Sequence, residues 1–270
     1  MLECFRVREE IKNMTDYRSF AIQLAKKSGA IIRSNFKIGV SKKWKNDGTP
    51  VTRTDLEINK LVLLAIRKKF PAHSIVSEEG SALTNSEYAW VCDPIDGTVP
   101  FSHGYPTFAF SLALTQNGRS ILGVAYDPIL DHLVVAEKGR GAFLNGKRIA
   151  VRKESKIGSK TFVNIDGDHT NRILKLRELL LKRRSHVSIL YSCVYASIRV
   201  ASGEFSAEVY EWNKSWDAAS VKIIAEEAGG RVTDLRGREQ RYDRPIHGFI
   251  AGTPAVHRQL VRMIAPLLLK

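Results

Sequence analysis

A predicted buried strand that ends in two closely spaced carboxylates constrains this chain more than any other stretch. The apolar residues 89–92 are followed by Asp93 and Asp96, then by Gly97 and Thr98. Buried carboxylates are costly to ionise without a cation, and Mg²⁺ prefers carboxylate and carbonyl oxygens. Backbone N–H groups at the start of a helix bind phosphate. The stretch therefore predicts a metal-dependent reaction at a phosphate, although Asp-Pro and Asp-Gly are also ordinary turn dipeptides.

Further carboxylates lie at the ends of other predicted elements. Thr54 and Glu57 have the spacing of a capping box, which predicts a helix start with Asp55 in its first turn. Glu78 and Glu79 directly follow a short apolar strand. An acid in a first helical turn also stabilises the helix dipole, and adjacent glutamates are common on protein surfaces. From these segments alone, both a structural and a catalytic role stay open.

The hydrophobic pattern predicts different architectures along the chain. Three apolar segments, residues 105–114, 123–128 and 133–137, are separated by turn signals, which predicts an antiparallel meander. Helix and strand patterns then alternate over residues 161–251, which is typical of an α/β arrangement with some parallel strands. A final helix is predicted over residues 254–269.

The predicted elements divide the chain into an extension and two packed halves. The first amphipathic helix is predicted over residues 16–36, and we interpret residues 1–14 as an N-terminal extension. Residues 15–150 form an α+β half that carries most of the acids. Residues 151–270 form an α/β half that supplies Asp217, which lies in the first turn of another predicted helix, and the substrate pocket.

Composition restricts the partners and the compartment. The 270-residue chain has a formal net charge of +14 and 44% hydrophobic residues, so it can bury a sizeable core and favours anionic partners. The first residues lack the apolar region of a signal peptide, and no stretch has the roughly 20 apolar residues that span a bilayer. Cys4, Cys92 and Cys193 match no disulfide or metal-binding pattern. We predict a cytoplasmic protein with reduced thiols. The charge by itself leaves phosphorylated metabolites, nucleic acid and a membrane surface open as partners, and the predicted metal and phosphate site favours a small phosphorylated metabolite over a membrane or nucleic acid.

Six segments together resemble one enzyme family, in its order and at its usual spacing, from about residue 16 to the C-terminus. They are Val51-Thr52-x-x-Asp55, Ser77-Glu78-Glu79, Asp93-Pro94-Ile95-Asp96-Gly97-Thr98, Gly139-x-Gly141-Ala142-Phe143-x-Asn145-Gly146, Trp216-Asp217-x-Ala219 and Glu227-Ala228-Gly229-Gly230. The chain is similar to the inositol monophosphatase family, within the lithium-sensitive, Mg²⁺-dependent phosphatase superfamily. The resemblance implies an α/β (α+β) fold, the five-layer αβαβα sandwich of the inositol monophosphatase and fructose-1,6-bisphosphatase superfamily, and a homodimer.

The resemblance also implies a role for each acid. It implies two to three Mg²⁺ ions per active site: the first held by Glu78, Asp93 and the backbone carbonyl of Ile95, the second by Asp93, Asp96 and Asp217, and a weaker third beside Glu78 and Glu79. Asp55 and Thr98 would orient or deprotonate the attacking water, and the backbone N–H groups of Gly97 and Thr98 would hold the phosphate. Water would attack directly, with no phosphoenzyme.

The segments that contact the leaving group depart from the family pattern. The usual Gly-Thr/Ser-Ala is Tyr191-Ser192-Cys193 here, and the glutamate seven residues before the metal-binding aspartate is Tyr210, with Glu211 as its neighbour. Ser192, Tyr210 and Glu211 are therefore the candidate substrate-binding residues. Inositol monophosphate is the first substrate expected. The alternatives are histidinol phosphate, fructose 1,6-bisphosphate, a 3′-phosphoadenosine compound, or a non-catalytic anion-binding relative.

Overall fold

The computed structural model describes the backbone of residues 2–167 and 170–268 and the side chains of residues 14–167 and 170–268. The first part of the chain contains α1 Leu2–Asn35, β1 Lys42–Trp44, β2 Pro50–Thr52, α2 Arg53–Lys69, β3 Ser74–Ser77, β4 Tyr88–Asp96, α3 Thr98–His103, β5 Ala109–Gln116, β6 Arg119–Asp127, β7 His132–Glu137, β8 Gly141–Leu144 and β9 Lys147–Arg148. The second part contains β10 Phe162–Asp166, α4 Asn171–Lys182, β11 His186–Ser188, α5 Cys193–Ala201, β12 Ala207–Tyr210, α6 Ser215–Glu227, β13 Arg231–Thr233, β14 Phe249–Gly252, α7 Pro254–Ile264 and a 3₁₀ helix Ala265–Leu267.

Helices and sheets alternate in five layers. Helices α1 and α2 cover one face of a seven-stranded sheet, β3 to β9, and α5 and α6 pack between that sheet and a five-stranded one. Helices α4 and α7 cover the outer face of the second sheet. Three buried apolar clusters fill these layers: one lies between α1, α2 and the first sheet, one joins α5 and α6 to both sheets, and one lies between the second sheet and α4 and α7. The five-layer αβαβα prediction is therefore confirmed.

Strand pairing differs between the two large sheets. Strands β4 to β9 form an antiparallel meander, and β3 is parallel to β4. In the second sheet β10 is parallel to both of its neighbours, β11 and β12. The register of β4 against β5 shifts between Asp93 and Asp96, so a bulge interrupts the ladder at the two carboxylates. The irregular backbone there presents oxygen atoms that a regular ladder would use for pairing.

Two predicted helix starts were wrong. The first helix begins at Leu2 instead of residue 16. Residues 2–15 contain neither glycine nor proline, so no residue in this segment interrupts the helix. The second helix is capped by Thr52 instead of Thr54: the Thr52 hydroxyl accepts from the Asp55 N–H, and the Asp55 carboxylate accepts from the Thr52 N–H at 2.9 Å. The predicted end of the last helix at Leu269 lies outside the described residues.

Other predictions concern the cysteines and the membrane. Cys92 and Cys193 are buried and form no disulfide, as expected, whereas the side chain of Cys4 lies outside the described part. Within the described residues, none of the helices combines the length and the apolar character needed to cross a bilayer.

Helix α6, which carries Asp217, lies unusually close to the first sheet. A Cβ atom added at Gly123 on β6 would lie 2.4 Å from Cγ2 of Ile223 and 3.1 Å from the backbone oxygen of Ser220. Ser220 also shares a 2.7 Å hydrogen bond with Ser111 on β5. Gly123 therefore allows the close approach that holds α6, and with it Asp217, against the sheet.

We predict that Gly123→Ala lowers the free energy of unfolding by about 1–3 kcal/mol, because the added methyl group overpacks this interface. Gly158→Ala is the matched control, since a Cβ there meets no atom within 4 Å and its φ is not positive. Urea denaturation of both variants measures the difference. Equal stability of the two variants would contradict the close contact between α6 and β6.

Candidate active site and metal centre

Four buried carboxylates and one partly buried carboxylate converge from four separate elements. Asp93 and Asp96 lie at the end of β4, Glu78 follows β3, and Asp55 and Asp217 lie in the first turns of α2 and α6. Their charges raise one another's pKa: Glu78 and Asp217 act on Asp93, Asp96 acts on Asp217, and Glu78 acts on Asp55. The predicted catalytic and metal-binding acids therefore occupy one site.

Asp93 is at the centre of this group. It is 2% exposed, and its Oδ1 atom has no hydrogen-bond partner among the described residues. Burial is the main cause that raises its pKa well above the ordinary value, followed by the charges of Glu78, Asp217 and Asp96. Its carboxyl group also shares a hydrogen bond with Asp217. An orphaned carboxylate oxygen among other acids fits a cation ligand.

Asp96 is held by neutral donors from the start of α5. Its Oδ2 accepts from the Ser192 hydroxyl and from the Val194 N–H at 2.9 Å, and its Oδ1 accepts from the Cys193 thiol at 3.4 Å. Burial raises the pKa of Asp96 to about 6, and these hydrogen bonds oppose that rise. Ser192, expected to contact substrate, therefore has its hydroxyl on a metal-site acid.

The ligand atoms of Asp96, Cys193 and Asp217 lie within 4.8 Å of one another. Burial, followed by the nearby carboxylates, raises the pKa of the Cys193 thiol well above its usual value, so the thiol stays protonated. A protonated thiol is a hydrogen-bond donor and a poor ligand for a hard cation. Asp96 and Asp217, which belong to the predicted second metal site, are thus the pair suited to Mg²⁺.

Asp55 and Thr98 form the predicted pair for the attacking water. The Thr98 hydroxyl lies 3.2 Å from Asp55 Oδ1 and 3.1 Å from the carbonyl oxygen of Ile95, and it has one proton to donate to either. Asp55 Oδ2 accepts from both the N–H and the hydroxyl of Thr52. Burial raises the pKa of Asp55 to about 7. Asp55 is thus a member of the capping box of α2 and a buried carboxylate in contact with Thr98.

Lys45 is the cation that the sequence did not place at the site. It lies between β1 and β2, and its Nζ contacts Glu78 Oε1 at 2.7 Å and Glu79 Oε1 at 2.6 Å. This contact places Glu79 beside Glu78, as the predicted third metal site requires. No local pattern singles out Lys45 among the basic residues of its segment, because tertiary folding decides where the β1–β2 hairpin lies relative to Glu78 and Glu79. Arg199, another basic residue of the chain, pairs with Asp127 and does not contact these glutamates.

The turn after β4 requires glycine. Gly97 has a φ of +90°, and a Cβ atom there would lie 2.8 Å from the backbone oxygen of Thr107 and 2.9 Å from Cβ of Ser192. Helix α3 starts at Thr98, directly after this turn. The first N–H groups of a helix have no partner within the helix, so the predicted phosphate-binding groups are at a suitable place.

The leaving-group side is shaped by Asp166, which the sequence did not single out. Its Oδ1 accepts from the N–H groups of Leu190 at 3.1 Å and Tyr191 at 2.9 Å. Tyr191 has a φ of +55° and is 44% exposed. A non-glycine residue in the left-handed region is uncommon, and the buried Asp166 carboxylate holds this turn in place directly before Ser192.

Tyr210 and Glu211, the two candidates for the position of the family's substrate-binding glutamate, have other partners. The Tyr210 hydroxyl donates to Asp217 Oδ2. The Glu211 carboxylate pairs with Arg172 and accepts from the Thr170 hydroxyl at 2.9 Å. Shifting the alignment to the family pattern by one residue would make Glu211 the polyol-binding acid. The carboxylate of Glu211, however, is already paired.

A cavity of about 570 Å³ lies elsewhere, at the C-terminal end of α6. Arg119, Lys138, Lys222 and Tyr242 are among its lining residues, and none of the predicted site residues is. Lys222 there is already paired with Glu226 and Glu239. The cavity and the acid cluster are therefore separate.

Most of the chain matches known proteins. Residues 13–268 match the model of the inositol monophosphatase family. A Thermotoga maritima protein described as fructose-1,6-bisphosphatase/inositol-1-monophosphatase is 33% identical over 92% of this chain and 96% of its own length. Inositol monophosphatase 2 of Solanum lycopersicum is 33% identical over 84% of this chain and 90% of its own length. The solved structure of a Thermotoga maritima IMPase aligns with a TM-score of 0.85 and 32% identity, over 94% of this chain and 98% of that one.

We predict that Lys45→Met lowers the free energy of unfolding in EDTA by about 1–3 kcal/mol, because it leaves two adjacent, partly buried glutamates without their cation. Added Mg²⁺ should restore part of the loss, since a cation then approaches the same acids. Lys26→Met is the control, because the Lys26–Asp131 pair is exposed and contributes little. Equal losses for the two variants in EDTA would contradict the role of Lys45.

Proposed function

The chain belongs to the inositol monophosphatase family and is a phosphate monoester hydrolase, and we propose that it uses Mg²⁺ to hydrolyse a small phosphorylated polyol or related metabolite. The convergence of four buried carboxylates and the partly buried Glu78, with the orphaned Asp93 Oδ1 among them, carries the proposal. Such a concentration of buried negative charge needs a cation, and oxygen ligands favour Mg²⁺.

The proposed Mg²⁺ ligands follow the family pattern. They are Glu78, Asp93 and the carbonyl of Ile95 for the first ion, Asp93, Asp96 and Asp217 for the second, and Glu79 with Glu78 beside a weaker third. When bound, Mg²⁺ neutralises phosphate charge, lowers the pKa of water and stabilises a leaving alkoxide. The contact of Lys45 with Glu78 and Glu79 supports the proposal, because an ammonium already occupies the position that a cation would take.

The Asp55–Thr98 pair is the proposed proton acceptor. When the Thr98 hydroxyl donates its proton to Asp55, its lone pairs point away from that bond and accept from a water molecule. The pKa of Asp55, raised to about 7 by burial, suits a base that works near neutral pH. Thr52 keeps the other Asp55 oxygen fixed, so the accepting oxygen has one orientation.

Inositol monophosphate is the substrate that we propose first. The dual description of the Thermotoga maritima relative favours fructose 1,6-bisphosphate as the second candidate. Histidinol phosphate and 3′-phosphoadenosine compounds have the same scissile bond and stay as further alternatives. We also propose a cytoplasmic homodimer that Li⁺ inhibits in competition with Mg²⁺. The formal charge of +14 is consistent with anionic substrates.

The test is phosphate release, with and without Mg²⁺, from inositol 1-phosphate, fructose 1,6-bisphosphate, histidinol phosphate, adenosine 3′,5′-bisphosphate and glycerol 2-phosphate. The proposal predicts Mg²⁺-dependent release with the highest kcat/KM for inositol 1-phosphate. A higher value for another ester reassigns the substrate. Release that persists undiminished in EDTA would overturn the metal-dependent mechanism.

We predict that Asp93→Asn lowers kcat by at least about 100-fold, because it removes the carboxylate shared by two proposed metal sites. Its melting temperature in EDTA should not fall, since the neutral amide removes one of several repelling buried charges. Asp131→Asn changes an exposed acid and serves as the control. Wild-type turnover by Asp93→Asn would refute the assigned site.

A further inference from the structure

Tyr210 occupies the position at which the family pattern has an acid that contacts the substrate, yet it lies inside the protein. It is the last residue of β12 and is 2% exposed. Its ring stacks on Phe249, with centroids 5.0 Å apart and planes at 26°, and meets Trp212 edge-on at 5.3 Å. These contacts fix the ring and therefore the direction of its hydroxyl.

That hydroxyl donates to Asp217 Oδ2. Asp217 is in the first turn of α6, where the N-cap residue Lys214 makes no side-chain hydrogen bond to cap the helix. The Asp217 carboxyl group also shares a hydrogen bond with Asp93. Tyr210 thus joins the fixed backbone of β12 to a carboxylate on a different element.

The chemistry of the donor matters. A phenol is neutral at physiological pH, so it occupies one lone pair of the carboxylate and leaves the negative charge in place. A lysine or arginine in the same position would cancel the charge that attracts a cation. Donors behind a metal ligand commonly set its orientation and change metal affinity when they are removed.

We propose that Tyr210 is a positioning residue of the metal centre, which orients Asp217 for a divalent cation, and that it does not bind the leaving group. The proposal rests on the proposed Mg²⁺-dependent function. It also makes the leaving-group pocket of this chain different in kind, because the acid of the family pattern is replaced by a hydroxyl directed at the metal site. The adjacent Glu211 does not compensate, since Arg172 and Thr170 already engage its carboxylate.

The experiment compares Tyr210→Phe with Tyr195→Phe. Phenylalanine keeps the ring and removes only the hydroxyl, and the Tyr195 hydroxyl accepts from Arg199 at 3.0 Å, with no contact to the acids described here. Calorimetric titration of each protein with Mg²⁺ and with Mn²⁺, without substrate, measures cation affinity. We expect Tyr210→Phe to bind about 10–100-fold more weakly and Tyr195→Phe to bind as the wild type does.

A kinetic measurement separates the two roles of Tyr210. At saturating Mg²⁺ the KM of Tyr210→Phe for the best substrate should stay within about twofold of the wild type, because the hydroxyl does not contact the leaving group. Wild-type cation affinity with a raised KM would overturn the proposal and make Tyr210 a substrate contact. Melting curves in EDTA confirm that both variants are folded.

The outcomes also separate this proposal from the proposed function. A wild-type protein that binds Mg²⁺ but hydrolyses none of the esters would leave the metal-positioning role of Tyr210 intact and reject the substrate assignment. Undiminished cation affinity in Tyr210→Phe, with an active wild-type enzyme, would reject the positioning role alone. If Tyr210→Phe does not fold, Tyr210→Leu removes the donor with a smaller apolar side chain. Weaker cation binding by the folded Tyr210→Leu variant supports the proposal, and unchanged cation affinity overturns it.

Discussion

Repulsion between buried carboxylates is the constraint on which the rest of the structure depends. Asp93, Asp96 and Asp217 are each less than 10% exposed, and burial together with mutual charge raises their pKa values. Such groups persist only where rigid elements hold them and a cation compensates their charge. The backbone meets the first condition, because Asp93 and Asp96 lie at the end of a strand and Asp217 lies at the start of α6, which is packed between the two sheets.

The side chains that surround these acids are chiefly neutral donors. Hydroxyl groups of Thr52, Ser192 and Tyr210 each donate to a carboxylate of the site, and the Cys193 thiol does the same. Neutral donors satisfy oxygen lone pairs without cancelling the negative charge. Lys45, from the hairpin above the site, contributes an ammonium group to the glutamates. The arrangement therefore fixes orientation while it preserves attraction for divalent cations.

The sequence was informative where one local pattern carries one physical cause. The apolar patterns predicted the antiparallel meander and the alternating helices and strands of the second half, since apolar periodicity reflects burial, whereas the five layers were implied by the family resemblance. The acids at element ends indicated a metal-dependent phosphatase because the oxygen donors lay next to a helix start after Gly97. The helix starts were predicted less well. Helix α1 continues toward the N-terminus beyond residue 16, because no glycine or proline interrupts it, and the cap of α2 was predicted at Thr54 instead of Thr52.

The sequence by itself indicated the class of chemistry, because the residue types and spacing at the end of β4 point to a metal and a phosphate, and its resemblance to the family implied which acids to expect at the site. Tertiary structure alone decided their partners: Lys45 reaches Glu78 through a hairpin, and Asp166 holds the turn at Tyr191. It also decided that Tyr210 donates to Asp217. Those contacts join segments that are distant in sequence or lie on different elements, and their geometry follows from packing, which no local pattern encodes.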